Sequence, residues 1–509
     1  MDGGGMSPAT RSLTVLAAAK LLLHLATSQG YGFFRDEFYY LACSEHLAFG
    51  YVDQPPLSIA LLWVSRALLG DSLLAIRFLP ALAGAATVFT TGLVARELGG
   101  QRAAQTLAAL AALVAPSFLA SHHFFSMNAF DLLFWVLLAY LSVRILARDE
   151  PRLWLAFGAV AGLGLENKYS VAFFAFGLVV GLLATPQRRL LVNRWLWLGG
   201  ALALGLCLPH LFWQLREGFP TLEFMANAQA EKTLPLTPIE FLLQQVVLVH
   251  PFSLPLWLGG LAALLFAPGL ARFRALGWAY LAVFALLVMQ HTKAYYLVPI
   301  YPLLFAAGSV ELEAICGRRR LRWGVPVVAS ILGAGGLATA PLALPLLPVE
   351  TYVAAARSFP IGEPPSERHE RGALPQRFAD MHGWEELVET VARVHRGLPP
   401  PERERVRVLA RNYGEAGAID FLGRPRGLPP AISGHNSYYL WGPGDFSGEV
   451  LIVLGDSPEP LAEWFEEVER VDTVRCTWCM PYQNEVPVYV GRRLVLPVEE
   501  AWRRLKRFM

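Results

Sequence analysis

The segment that decides the fold begins with Phe34-Arg35-Asp36-Glu37-Phe38-Tyr39-Tyr40 and ends with Gly50-Tyr51-Val52-Asp53-Gln54-Pro55-Pro56-Leu57. It follows closely on the first long apolar run of the chain, residues 13–26. An adjacent pair of acids, an aromatic amphipathic stretch and an Asp-x-Pro-Pro sequence therefore stand at the end of a hydrophobic segment. Ionisable groups at such a position are costly unless they line a functional cavity, so this segment is the first candidate for a site.

The composition indicates a membrane protein with a soluble appendage. Of 509 residues, 54% are hydrophobic and only 17% are charged, which excludes an ordinary soluble protein. Long apolar runs occupy residues 1–347, whereas arginine, glutamate and proline become frequent from Val349 onward. We therefore predict a transmembrane domain at 1–347 and a soluble α/β domain at 348–509. The arginines fall in short clusters between apolar runs, so no nucleic-acid partner is expected.

Apolar segments of about 20 residues predict membrane-spanning helices. Eleven segments qualify, with the pair at 152–185 the shortest: 11–29, 73–95, 103–120, 128–147, 152–166, 169–185, 195–215, 245–267, 274–290, 295–313 and 322–346. The apolar stretch 57–69 is too short to cross a bilayer, and the stretch 36–49 has the spacing of an interfacial helix.

Positive residues in alternate loops predict the orientation. Arginines concentrate in every second loop, which the positive-inside rule places in the cytoplasm together with the N-terminus. An odd number of spans then puts the C-terminal domain on the external side of a bacterial inner or cell membrane, in the periplasm. The same topology brings one set of polar residues to the external face: Asp36, Glu37, Asp53, His122, His123, Asn128, Asp131, Glu166, Lys168, His250, His291 and Lys293.

The soluble region has the alternating pattern of an α/β domain. It predicts strands at 405–410, 450–454 and 486–490, helices at 414–422, 460–468 and 498–508, and linkers at 357–376 and 396–405. Cys476 and Cys479 are spaced as a redox pair, half of a zinc site or a simple bridge. In an oxidising compartment we expect a structural disulfide.

Two segments have the residues that glycosyl transfer to a hydroxyl needs. Asp36 could accept the proton of the attacking hydroxyl, with Glu37 beside it, although an acid at this position also suits the first turn of a helix. Lys293 stands at an external helix mouth with Tyr295 and Tyr296 close behind, where a cation and hydroxyl donors could stabilise a leaving phosphate. The alternative for the second segment is an interfacial anchor, in which the lysine and tyrosines sit at headgroup level.

These segments resemble the GT-C class of membrane glycosyltransferases that use polyprenyl-phosphate sugars. Within the class the likeness is to family 39, which includes protein O-mannosyltransferases and lipid A aminoarabinose transferases. It covers about residues 11–310 and rests on the Asp-Glu…Asp-x-Pro-Pro loop and on a Lys…Tyr…Pro-x-Tyr-Pro stretch ending at Pro302. The resemblance implies a GT-C fold, an inverting transferase, and Asp36 as the catalytic residue.

The resemblance also implies roles for further residues. Lys168 lies in a turn similar to the family's Thr-Lys-Tyr turn and is expected to contact the donor phosphate with Lys293, Tyr295 and Tyr296; a plain surface pair with Glu166 is the alternative. Family members carry an acid near Asp131. We assign acceptor binding or organisation of the site to these residues: Asp53, Gln54, Asn128, Asp131 and His291.

The implied partners are the lipid bilayer, a polyprenyl-phosphate sugar as donor, and a hydroxyl acceptor on a lipid, glycan or protein. No cofactor is required and no divalent metal is expected, because His122 and His123 cannot both face one ion from a regular helix. The alternative function is a transporter or flippase of lipid-linked sugars. Transporters are typically built from inverted repeats, and the second half of this chain has no copy of the Asp36 segment.

Overall fold

A computed structural model of the protein describes residues 6–148, 150–358, 368, 370, 372–455 and 459–509. Most of the predicted linker at 357–376 lies outside the described residues. The first part of the chain is helical: α1 (Pro8–Thr27), α2 (Arg35–Glu45), α3 (Leu57–Leu69), α4 (Leu73–Glu97), α5 (Arg102–Val114), α6 (Pro116–Ser121), α7 (Met127–Ala147), α8 (Leu153–Leu165), α9 (Val171–Leu183), α10 (Arg194–Arg216), α11 (Pro220–Glu231), α12 (Pro238–Leu248), α13 (Leu254–Phe266), α14 (Arg274–Met289), α15 (Tyr301–Arg318) and α16 (Gly324–Ala343).

Helix length and composition identify the spans. In the described part of the chain seven helices are long and apolar enough to cross a bilayer, and two bent pairs, α9 with residues 186–192 and α12 with residues 251–266, raise the number to nine. The two other predicted spans coincide with α5 and α8, which have 13 residues each. At 1.5 Å per residue such a helix is about 20 Å long, shorter than the roughly 30 Å hydrocarbon core. Eleven crossings therefore stay a prediction.

Small residues set the helix packing. Helices α8 and α10 approach so closely that a Cβ atom at Gly158 would lie 2.0 Å from the Gly199 carbonyl oxygen. Gly260 and Gly308 allow the same close approach between α13 and α15. A Cβ atom at Gly181 would lie 1.9 Å from the carbonyl oxygen of Ala275 in α14. Backbones can approach this closely only where side chains are absent, as is usual between helices in membranes.

The arginine-rich loops meet at one end of the helical domain. The Arg148 guanidinium pairs with Glu97 at 2.8 Å, and the Arg272 Nη1 donates to the Ala147 carbonyl at 2.8 Å. The loops that begin α2, α7 and α9 meet at the opposite end. This separation is the one that the alternating charge pattern predicts, whereas the side of the membrane on which each end lies stays a prediction.

The C-terminal region forms an α/β domain. Its strands are β1 (Arg407–Leu409), β2 (Ala431–Ile432), β3 (Val450–Leu454), β4 (Phe465–Val474) and β5 (Val486–Leu494), in the order β2-β1-β3-β5-β4. The first three run parallel, and β5 pairs antiparallel with both β3 and β4. Its helices are α17 (Val349–Ser358), α18 (Gln376–Ala379), α19 (Trp384–Gly397), α20 (Pro400–Arg405), α21 (Tyr413–Ala418), α22 (Ser437–Trp441), α23 (Glu459–Ala462) and α24 (Val498–Arg504).

The predicted helix at 460–468 is wrong. Only Glu459–Ala462 is helical, and Phe465–Val474 is the edge strand β4. Apolar residues recur every third position from Phe465 to Val474, which mimics a helical face. Pairing along the free edge of β5 overrides that pattern, and an irregularity between Arg470 and Asp472 adjusts the register. The other predicted strands are confirmed.

The helix predicted at 36–49 exists as α2, but its environment differs from a membrane surface. Phe38, Leu41 and Ala42 are buried in one core with the C-terminal domain. The contact is close, because a Cβ atom at Gly417 of α21 would lie 2.6 Å from the Phe38 carbonyl oxygen. The C-terminal domain therefore covers α2 and reaches the segment with the predicted site.

Candidate active site

A buried ion pair fixes the start of α2. Glu37 has no exposed side-chain surface, and its two oxygens accept from Arg77 of α4 at 2.8 and 2.7 Å. The backbone N–H groups of Phe34 and Phe125 donate to the same carboxylate, each at 2.8 Å. Arg77 also donates to the carbonyl of Ser28 at 2.7 Å. A buried pair is tolerated when its remaining hydrogen-bonding capacity is satisfied, as it is here.

The sequence groups Glu37 with Asp36 as a catalytic pair, and this arrangement favours an organising role for Glu37. Four donors already occupy its carboxylate, which has no exposed side-chain surface. Its geometry instead holds the α2 segment against α4 and the loop before α7. We therefore treat Glu37 as a positioning residue.

Asp36, by contrast, is accessible. It is the second residue of α2 rather than its cap, which is Phe34, and its side chain is 32% exposed. The Tyr413 hydroxyl, from the C-terminal domain, donates to Asp36 Oδ1 at 2.9 Å. The Arg35 guanidinium lies 3.6 Å from the same oxygen. Asp36 is thus an oriented carboxylate with surface left for a substrate.

Asp53 is connected to Asp36 through two stacked tyrosines, Tyr39 and Tyr413. The Tyr39 hydroxyl is 2.8 Å from Asp53 Oδ1, and the Tyr39 ring stacks on that of Tyr413 with centroids 4.5 Å apart. Burial, and to a lesser degree the charge of Asp36, raises the pKa of Asp53 to about 6. Gln54 is 1% exposed, and its carbonyl accepts from the backbone of Tyr51. Both predicted residues therefore shape the loop beside Asp36.

A second cluster surrounds Lys168, in the turn between α8 and α9. Its Nζ donates to Asn128 Oδ1 at 2.7 Å and lies 3.6 Å from Asp131 Oδ2. The ammonium also lies 4.6 Å from the ring centroid of Tyr296 and 5.3 Å from that of Tyr295. Four other residues of the predicted site thus meet around this one cation, and Asp131 rather than Glu166 is its acidic partner.

Lys293 and His291 lie beside this cluster. Lys293 is half-buried and precedes the 3₁₀ segment Ala294–Ile300, and both its charge and that of Lys168 act on the Tyr296 hydroxyl. His291 is exposed in the turn before it, with a φ of +50°. The turn therefore presents Lys293 towards the tyrosines, while His291 faces away from them towards solvent.

A short chain of contacts joins the two clusters. Tyr40, one turn after Asp36, accepts through its hydroxyl from the N–H of Met127 at 3.1 Å. Met127 is adjacent to Asn128, the residue that holds Lys168, and its carbonyl accepts from Asn167 at 2.9 Å. The carboxylate of Asp36 and the ammonium of Lys168 therefore belong to one polar region at the same end of the helices.

The predicted Cys476–Cys479 bridge lies in the C-terminal domain. The two residues are buried in one turn as free thiols, with the Cys479 N–H 3.1 Å from Cys476 Sγ. Their disulfide stays a prediction. In the described part of the chain no group of three or more His, Cys, Asp or Glu is placed to hold a metal ion.

Comparison with known proteins gives a partial family match and a shared fold. Residues 53–213 match the family described as dolichyl-phosphate-mannose-protein mannosyltransferase. The structure is similar to that of ArnT from Cupriavidus metallidurans bound to undecaprenyl phosphate, with 17% identity, a TM-score of 0.61, and coverage of 94% of this chain and 97% of that one. The chain therefore shares the fold of ArnT over nearly its whole length.

Other comparisons agree with this fold. The apo state of the same ArnT matches at 18% identity with a TM-score of 0.60, covering 93% of this chain and 97% of that one. The oligosaccharyltransferase of Archaeoglobus fulgidus in its apo form matches at 12% identity and a TM-score of 0.50, covering 88% of this chain and 69% of that one. The curated proteins give no match. The ArnT likeness extends over the C-terminal domain of this protein as well as its helices.

Sequence reasoning missed two residues of the site. Arg77 had a usable signal, because an arginine inside an otherwise apolar helix needs a buried partner. Tyr413 had none, since its contact with Asp36 spans 377 positions of the chain. Only the packing of α21 on α2 brings the tyrosine to the carboxylate.

We expect Tyr413→Phe to lower the turnover number more than it raises the KM for donor. Loss of the hydroxyl removes one donor from Asp36 but keeps the ring stack with Tyr39. A net hydrogen bond to a charged group is worth about 1.5–3 kcal/mol, so the rate should fall roughly 10- to 100-fold. The measurement is steady-state transfer, with the turnover number and the KM for donor determined for each variant. Tyr439→Phe, whose ring stacks on Trp502 elsewhere in the domain, is the matched control. A turnover number of Tyr413→Phe equal to that of Tyr439→Phe would show that Tyr413 does not act on Asp36.

Proposed function

We propose that this protein is a membrane glycosyltransferase of the GT-C class. It moves a monosaccharide from a polyprenyl-phosphate carrier to a hydroxyl acceptor at the external face of the membrane. The observation that supports it best is that one polar region contains both an accessible carboxylate, Asp36, and a buried cation, Lys168. Transfer needs both, one at each side of the anomeric carbon. ArnT is bound to undecaprenyl phosphate and the Archaeoglobus protein AglB to dolichol phosphate in structures of this fold. No comparison supports the transporter alternative.

In this mechanism the acceptor hydroxyl attacks the anomeric carbon while Asp36 takes its proton. The bond between the anomeric carbon and the phosphate oxygen breaks on the opposite side, which inverts the centre. The products are the glycosylated acceptor and polyprenyl phosphate. Glu37 has no chemical step; through Arg77 it keeps the backbone of Asp36 in place, which matters because a misplaced base loses most of its effect.

The departing phosphate gains negative charge as the bond breaks, and fixed cations stabilise it at that moment. Lys168 is held in advance by Asn128 and Asp131, and Tyr295 and Tyr296 lie against it. The charge of Lys293 also acts on Tyr296. These residues are all carried by the helical domain, where a lipid-linked phosphate can reach them from the bilayer.

We expect Asp36→Asn to abolish transfer while donor binding stays within about twofold. The amide keeps the shape of the side chain but cannot take a proton, and loss of a general base costs about 10²–10⁴ in rate. Asp71→Asn is the matched control, since Asp71 is an exposed acid at the same end of the helices that pairs with Arg66. Both variants are assayed in proteoliposomes with radiolabelled polyprenyl-phosphate sugars. Turnover of Asp36→Asn close to that of Asp71→Asn would remove Asp36 from the mechanism.

The role of Lys168 is tested with a double variant. Lys168→Met should slow transfer by about 10²-fold, as expected for loss of one electrostatic partner in the transition state. That variant also leaves Asp131 without its cation, so a loss could reflect a damaged fold. Asp131→Asn combined with Lys168→Met removes both charges, and the combined variant should unfold at nearly the wild-type temperature and stay equally slow.

Recovery of the double variant to near wild-type rate would mean that Lys168 only neutralises Asp131. Lys506→Met provides the control for removal of a lysine, because Lys506 pairs with Glu223 at the surface. Lys293→Met is run in the same series. A small loss there, together with full activity of Lys293→Arg, would indicate a membrane anchor rather than a phosphate contact.

A further inference from the structure

A cavity of about 540 Å³ lies between the start of α2 and the C-terminal domain. Four cationic side chains line it, Arg35, Lys232, Arg411 and Arg507, and Glu485 is the one acidic side chain among its lining residues. Cavities of this size suit a small molecule or a headgroup. None of the roles assigned above uses this space, although it begins at a residue next to Asp36.

The cations come from three separate parts of the chain. Arg35 belongs to α2, Lys232 caps the end of α11, and Arg411 and Arg507 belong to the C-terminal domain. Three of them, Lys232, Arg507 and Arg35, lie close enough to His435 to act on it. Together with burial, which has the largest effect, their charges lower the pKa of His435 to about 3. The cavity is thus assembled by folding rather than by one local cluster.

His435 is neutral in this environment and adds donors and acceptors instead of charge. Its Nδ1 accepts from the N–H of Tyr413 at 3.3 Å, which assigns the proton to Nε2. That nitrogen lies 2.8 Å from the backbone carbonyl of Met509. His435 therefore stabilises the wall between Tyr413 and the last residues of the chain, and the positive potential comes from the four cations.

Two of these cations are fixed from behind by carboxylates. Arg411 pairs with the buried Glu415 at 2.7 Å, and Arg35 lies 3.8 Å from Asp380. Such pairs orient the guanidinium groups, and cationic side chains outnumber the one acidic side chain along the wall. Guanidinium groups held in this way recognise phosphates and carboxylates. A cleft lined mainly by cationic side chains also attracts anions.

The position of the cavity indicates which substrate it serves. The hydroxyl of Tyr413, one of its lining residues, is bound to Asp36, so the cavity opens beside the base. Most of its wall belongs to the C-terminal domain, whereas the cluster around Lys168 lies among the helices. A phosphate attached to a lipid in the bilayer reaches the helices, and a group approaching through the soluble domain reaches the cavity.

We infer that the cavity enclosed by Arg35, Lys232, Arg411 and Arg507 binds an anionic group of the acceptor, a phosphate or a carboxylate. The assignment to the acceptor rests on the proposed function, which gives the base role to Asp36 and the donor phosphate to Lys168. With the charged group seated there, a hydroxyl nearby on the same molecule would lie next to Asp36. Neutral acceptors would lack this attachment.

The test measures binding of inorganic phosphate to the full chain in detergent, by titration calorimetry. Arg507→Gln and Lys232→Gln should each raise the dissociation constant for phosphate about tenfold or more, because each removes one charge without changing size much. Arg405→Gln is the matched control, since Arg405 is an exposed arginine of the same domain that pairs with Glu449. Thermal unfolding of all three variants is measured alongside to show that they are folded.

Two further arms separate the possible sources of the anion. Saturating undecaprenyl phosphate should leave the binding of inorganic phosphate unchanged, because the lipid occupies the site at Lys168. Asp36→Asn, which removes transfer, should bind phosphate at least as tightly as wild type, so loss of the proposed function does not mimic loss of the cavity.

Three results would overturn the inference: wild type that binds no phosphate, equal binding by wild type and both cavity variants, or displacement of phosphate by undecaprenyl phosphate. The last result would assign the four cations to the donor phosphate.

Discussion

The structure of the site depends on the buried ion pair between Glu37 and Arg77. It joins the beginning of α2 to α4, and through Phe125 it also fixes the loop that begins α7. A charged pair in such a place is expensive to desolvate, and it persists because every oxygen of the carboxylate is satisfied. Because Asp36 is adjacent to Glu37, this pair also fixes the backbone position of Asp36, whose side chain remains accessible to a substrate.

The second constraint is the packing of the C-terminal domain on α2. It supplies Tyr413 to Asp36 and completes the cationic cavity with Arg411 and Arg507. The domain therefore contributes side chains to the candidate active site. Lys168 is held from the other side by helices alone. The reaction we propose takes place where these two parts of the molecule meet.

The sequence was informative where local chemistry decides the structure. The apolar runs located the helices, and the Asp36 and Lys293 segments lie at one end of the bundle, as the charge pattern predicts. The sequence was misleading where pairing partners decide: the periodicity of residues 465–474 indicates a helix, yet the free edge of β5 makes it a strand. The sequence also gave no means of telling which of the adjacent acids, Asp36 or Glu37, is exposed and which is buried. Only burial shows that Glu37 points inward to Arg77 while Asp36 points to solvent.

Contacts between distant segments could not be read from the sequence at all. The partnership of Lys168 with Asp131 was hidden by the nearer Glu166, which looks like its natural partner along the chain. The cationic cavity was hidden for the same reason, because its four positive residues are scattered between positions 35 and 507.

The most direct test of the account is a cryo-electron microscopy structure of Asp36→Asn with a polyprenyl-phosphate sugar bound. The account predicts a donor phosphate within hydrogen-bonding distance of Lys168, about 2.7–3.2 Å, with the anomeric carbon between that phosphate and residue 36. A phosphate seated instead between Arg411 and Arg507, with Lys168 still bound only to Asn128 and Asp131, would contradict it.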